Sequence, residues 1–66
     1  MTMTALQEAI SKIYWRNIKN GNRKFADIEE EEVRGEVKRL AGLDVENGKI
    51  TADQYEQYIG EVYVDV

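Results

Sequence analysis

Any metal ion held by the side chains of this sequence would be held through oxygen. There are 13 Asp and Glu residues and neither Cys nor His, which excludes a thiol nucleophile, an imidazole general base and a zinc site built on either. Two possibilities remain: carboxylates whose pKa values are driven apart by a pocket, and an oxygen-ligand cation loop. The segment to test for the second is Leu43-Asp44-Val45-Glu46-Asn47-Gly48-Lys49-Ile50-Thr51, because Asn-Gly followed two residues on by Ile is the usual middle of a calcium-binding helix-loop-helix. With Gly48 at the sixth position, the first and third fall on Leu43 and Val45 and the twelfth on Gln54. Oxygen ligands and a bidentate Glu are required there, so the loop reads as a helix connector. The phosphate-binding pattern GxxxxGK[ST] is absent, and the Ser and Thr residues fall at caps or exposed positions with no base to activate them. No catalytic, cofactor-binding or metal-binding residue is expected, and the chain is not read as an enzyme.

The spacing of apolar residues and caps predicts an all-α fold. Thr4-Ala5-Leu6-Gln7 has the form of a capping box, in which the Thr side chain takes a first-turn N–H and the Gln reaches back. Leu6, Ala9, Ile10, Ile13 and Tyr14 then recur at helical spacing, and Asn20-Gly21 suits a helix stop. A first helix is predicted over residues 4–19, with Leu6 and its neighbours as the buried stripe, Asn17 on that stripe and Trp15 opposite it. Because Asn-Gly is also a strong hairpin signal, a hairpin over residues 13–28 is the competing reading, weakened by poor apolar alternation on both sides of the turn. Asp27-Ile28-Glu29-Glu30 predicts a second start, giving a helix over 28–43 whose inner face is Val33, Val37, Leu40 and Ala41, with Glu30 and Arg34 paired outside. Thr51 with Gln54 forms a third capping box, and Ile50 can staple onto Tyr55. The third helix, over 51–60, carries Tyr55, Tyr58, Ile59 and Val62 on one face and stops near Gly60. The tail Val62-Tyr63-Val64-Asp65-Val66 alternates and could form a short extended segment.

At 66 residues the chain is one domain, residues 1–66, near the size at which a core buries about 60% of the unfolded surface. Charge is unevenly placed: residues 1–25 carry five bases against one acid (+4), and residues 26–66 four bases against twelve acids (−8). Such polarity suits docking between copies or on a basic partner, and nucleic-acid binding through dispersed bases beside this much acid is disfavoured. No apolar run approaches the roughly 20 residues that cross a bilayer, and no secretory signal pattern opens the chain; no membrane contact is expected. Tyr14, Trp15, Ile18 and Tyr63 are the candidate protein interface, since aromatic side chains supply rigid contact area. In the competing reading, Trp15 completes the core against the tail or the Phe25 loop.

The segment Gly48-Lys49-Ile50-Thr51-Ala52-Asp53-Gln54-Tyr55, continued by Tyr58-Ile59-Gly60-Glu61, resembles the C-terminal half of short phage and prophage proteins of the XkdX type. The likeness covers about a quarter of the chain. The sequence departs from that pattern in its greater length, in Tyr14-Trp15-Arg16-Asn17-Ile18-Lys19-Asn20-Gly21 and in the Glu-rich second helix. The resemblance implies a setting, a small protein made with phage tail or late genes, and carries no activity or ligand site. The expectation is a non-enzymatic protein acting by contact with a phage structural or host protein, cytoplasmic in the host cell or associated with the virion, with a homo-oligomer admissible. The alternative is an acidic regulatory binder of a basic site on a host or nucleic-acid-handling protein.

Overall fold

The computed structural model describes residues 4–63. They form an all-α domain of three helices, α1 (Ala5–Asn20), α2 (Glu31–Glu46) and α3 (Ala52–Ile59), with a 3-10 turn (Phe25–Asp27) between the first two. Both expected capping boxes are formed. Thr4 Oγ1 accepts from Gln7 N at 3.1 Å while Gln7 Oε1 accepts from Thr4 N at 3.0 Å, and Thr51 and Gln54 repeat the exchange at 3.1 and 2.8 Å. Each box satisfies N–H groups that a helix start leaves without intrahelical acceptors. The helical path of α1 through Asn20 replaces the hairpin alternative for residues 13–28.

The second helix begins three residues later than predicted. Asp27, expected to cap it, instead accepts the Lys24 N–H at 3.1 Å and closes the 3-10 turn. Phe25 and Ile28 are thereby held in the core at 7% and 2% exposure, and the backbone stays extended through Glu30 before α2 starts. The expected Glu30–Arg34 pair is not formed, because Glu30 lies at the cap; the Arg34 guanidinium sits 5.4 Å from the Phe25 ring centroid. At the other end of α2, Gly48 at φ 74° allows the Gly48 N–H to reach Val45 O and the Lys49 N–H to reach Asp44 O, at 3.1 and 2.8 Å. This pair of bonds is a Schellman stop. It turns the chain straight into the Thr51 cap and buries Ile50 and Tyr55 together in the core.

α3 ends at Ile59, where Gly60 takes φ 82° and donates to Glu56 O at 2.8 Å. Val62, expected on the inner face, is therefore turned out to 69% exposure, while Tyr63 packs its ring edge-on to Tyr55, centroids 5.2 Å apart. Val62 and Tyr63 take no regular secondary structure, and the rest of the expected extended tail lies outside the described residues.

The largest departure concerns α1. Its buried residues are Ser11, Trp15 and Ile18, whereas Leu6 and Ile13 of the expected inner stripe are 70% and 56% exposed. The helix is rotated by more than a quarter turn from the predicted orientation. An indole hides more apolar area than a Leu or Ile, and Trp15 also finds a polar partner: its Nε1–H donates to Asp44 Oδ2 at 2.8 Å. Ser11 is fully buried without an unsatisfied hydroxyl, since it donates to Gln7 O at 2.7 Å within the helix. Its small side chain suits the buried face of α1, the helix that packs against α2.

Trp15 joins all three helices. Besides Asp44 on α2, it meets Tyr58 of α3 edge to face, centroids 5.7 Å apart at 83°, and Lys19 Nζ lies 5.0 Å from its ring centroid. Truncating such a residue removes packing and leaves the carboxylate short of a donor, a loss of about 3–5 kcal/mol. A domain of this length is stable by roughly 3–10 kcal/mol in all. Trp15→Ala is therefore expected to abolish or severely broaden the thermal transition followed by circular dichroism, and Trp15→Phe to retain a cooperative but lower one.

Candidate interaction surface

With the core on one face of α1, a second apolar face is left outside. At 100° per residue, Leu6, Ala9 and Ile13 fall within an arc of about 60°, and all three are exposed. Beside this stripe Ile10 and Tyr14, both half-buried, form one wall of a groove of about 360 Å³. The buried side chains of Ile28 and Val33 form its floor, and the exposed Asp27, Glu29 and Glu30 its rim. The groove exists because the late start of α2 keeps residues 28–30 extended beside α1. Among the described residues, none of Glu29, Glu30, Glu31 or Glu32 makes an ion pair; the pairs formed are Lys19–Asp44, Lys38–Glu61 and Arg39–Glu36. Glu29 and Glu30 thus present carboxylates without ion-pair partners along one edge of the apolar surface.

The four candidate interface residues separate in the structure. Trp15 and Ile18 are core residues at 5% and 4% exposure. Tyr63 is half-buried away from the groove, against Tyr55 and beside Gly42. Tyr14 alone of the four lines the groove. Leu6 and Ile13 are surface residues although their spacing predicts them inside, whereas Ile10 packs in part against the core. The available signal was that α1 carries two apolar sets at helical spacing, Leu6/Ala9/Ile10/Ile13 and Tyr14/Trp15/Ile18, more than one core face can absorb.

Asp44, which stood out of phase with a calcium loop, acts as a structural acceptor. Its carboxylate takes the Trp15 indole and the Lys19 ammonium, the latter at 3.2 Å, and its carbonyl takes Lys49. The Arg39 guanidinium hydrogen-bonds Glu36, with Nε to Oε1 at 2.7 Å, and holds its carboxyl below the usual 4.5, helped by the charges of Arg39 and Lys12 and opposed by burial. The hydrogen bond to Glu61 raises Lys38 above its ordinary 10.5, against the smaller opposing effect of burial, and ties the segment after Gly60 to α2 at 2.8 Å.

In comparisons with protein-family models, curated proteins and solved structures, the chain matches none. Its features define a small three-helix domain with an outward apolar face bordered by acid. No helix among the described residues is long and apolar enough to cross a membrane.

Because Leu6 and Ile13 face outward, Leu6→Gln and Ile13→Gln should each leave stability within about 0.5 kcal/mol of the parent, as exposed positions do, in chemical denaturation of dilute protein. The Glu36 pair supplies a pH dependence of known sign. A carboxyl depressed on folding contributes stability that is present above its unfolded value near 4.5 and is lost as pH falls through the lower folded value. Glu36→Gln is expected to flatten the fall in stability below that pH, measured by urea denaturation at neutral pH and in acid.

Proposed function

We propose that the protein acts by protein–protein contact, as a small structural or assembly component of a phage tail or late-gene module. The observation that carries the contact reading is the second apolar face of α1, with Leu6 and Ile13 at 70% and 56% exposure beside a formed groove. Exposed apolar side chains that gather into one patch, bordered by charge, are characteristic of interaction sites. The phage setting rests on the resemblance of residues 48–61 to XkdX-type proteins, a segment that here makes the α2–α3 connection, the Thr51 cap and α3.

A second reading has its own observation. Asp27, Glu29 and Glu30, none of them in an ion pair among the described residues, give the groove a rim suited to a basic site on a host protein, as in a charge-mimicking regulator. Ionic strength separates the two readings. A contact dominated by the rim weakens steeply as salt screens it, and one dominated by the apolar stripe persists.

Quantitative mass spectrometry of purified particles after prophage induction tests the leading reading. Copurification at a fixed ratio to the major tail protein is expected, together with loss of incorporation in a Leu6→Gln/Ile13→Gln chain that still folds. Absence from particles despite expression in the lysate would contradict it.

A further inference from the structure

We infer that the occupant of this face is a second copy of the same chain, paired through α1 in parallel about a two-fold axis that runs along the helix. The inference deepens the contact reading and rests on it. It follows from the order of chemistry across the surface. On one side of the Leu6–Ala9–Ile13 stripe, Ile10 and Tyr14 lead into the groove with its Asp27, Glu29 and Glu30 rim. On the other side, about 60° further round from Ile13, comes Arg16, and about 40° beyond it Lys12, both exposed. The surface therefore reads acid, apolar, base from edge to edge.

A surface of that kind is complementary to itself in one orientation. In a two-fold pair the axis lies in the interface, and the same patch serves both copies. If the axis runs along α1, positions along the helix are kept and the two edges are exchanged: each acidic rim meets the partner's Arg16 and Lys12, and the apolar stripes meet at the axis. If the axis runs across α1, the helices become antiparallel and acid meets acid, base meets base, which is repulsive. The levels along the helix also agree. The groove lies beside Ile10 and Tyr14, and a helical side chain leans toward the N-terminus, which carries the Arg16 guanidinium back toward the level of residues 12–13. Leu6, Ala9 and Ile13 recur at i, i+3 and i+7, the spacing of a two-stranded parallel helix contact. Neither Arg16 nor Glu29 nor Glu30 has an ion-pair partner within the chain among the described residues, so pairing breaks no existing bridge at these positions. Glu36, which feels the Lys12 charge, has Arg39 as its own partner.

The chain has no Cys, so an introduced thiol is unique and reports on geometry. Sedimentation equilibrium of the purified full chain should give a monomer–dimer equilibrium. Under mild oxidation Ile13→Cys should form its symmetric disulfide about tenfold or more faster than Glu56→Cys, an exposed site on α3, because pairing raises the effective thiol concentration. Lys12→Glu with Arg16→Glu should weaken the dimer about tenfold or more, and adding Glu29→Lys and Glu30→Lys to that chain should restore part of the loss by recreating opposite charges across the axis. A monomer at every concentration up to about 1 mM, equivalent to pairing weaker than about 4 kcal/mol, would overturn the inference. So would preferential crosslinking of Leu6→Cys to Ile13→Cys in a mixture, the mark of antiparallel helices, or a charge reversal that fails to restore pairing in a folded chain. A monomeric protein that still copurifies with particles would overturn the pairing and leave the contact reading standing; a dimer absent from particles would do the reverse.

Discussion

The hydrogen bond from the Trp15 indole to the Asp44 carboxylate is the constraint on which the arrangement of the helices depends. An indole N–H cannot be buried without an acceptor except at a cost of a few kcal/mol. The acceptor it finds is on the last turn of α2. That residue's backbone carbonyl is at the same time the Schellman acceptor that turns the chain toward α3, and the Trp15 ring completes the circuit by meeting Tyr58. One side chain thus links the rotation of α1 to the docking of α3, and it is anchored beside the Gly48 turn that ends α2. In a chain of 66 residues without disulfides, such sharing matters, because the core is too small to hold three helices by independent contacts.

The rotation set by Trp15 has a functional consequence. A helix with apolar residues around much of its circumference can offer only one side to a small core, and whichever side loses must face solvent or another molecule. Here the losing side is Leu6, Ala9 and Ile13, and the delayed start of α2 places Asp27, Glu29 and Glu30 along its edge. Basic residues of the first part of the sequence, Lys12 and Arg16, and acidic residues of the second, Asp27, Glu29 and Glu30, therefore border one surface. The acid–apolar–base order that makes this surface self-complementary is a by-product of how the core chose its face.

The boundaries of α1 and α3 were legible in the sequence because their signals are local, whereas α2, expected over 28–43, both starts and ends three residues later, at Glu31 and Glu46. The Thr4/Gln7 and Thr51/Gln54 boxes and the Gly60 stop each involve residues within four positions of one another, and each is formed. Asp27 misled by a short distance: its carboxylate is equally suited to close a 3-10 turn, and burial of Phe25 and Ile28 decided the choice. The face of α1 was illegible for a different reason. Counting apolar positions favours Leu6, Ile10 and Ile13, whereas the outcome turned on a long-range partner, Asp44, 29 residues away, and on a Ser whose hydroxyl is satisfied within its own helix. Neither is visible to periodicity. The interaction surface inherited that error, since a residue assigned to the core is not considered for a surface; Tyr14, lying between the two faces, was the one candidate that survived the rotation onto the groove.

The most direct test of the account is the amide-region NMR signal of the indole N–H, which belongs to Trp15 alone because the sequence has one tryptophan. In dilute protein at neutral pH the account predicts a single, sharply dispersed resonance whose exchange with water is slowed by at least about a hundredfold relative to the unfolded chain, with the protection greatly reduced in Asp44→Ala. An indole proton that exchanges at the free rate in the folded domain would contradict it, placing Trp15 on the surface and returning Leu6 and Ile13 to the core.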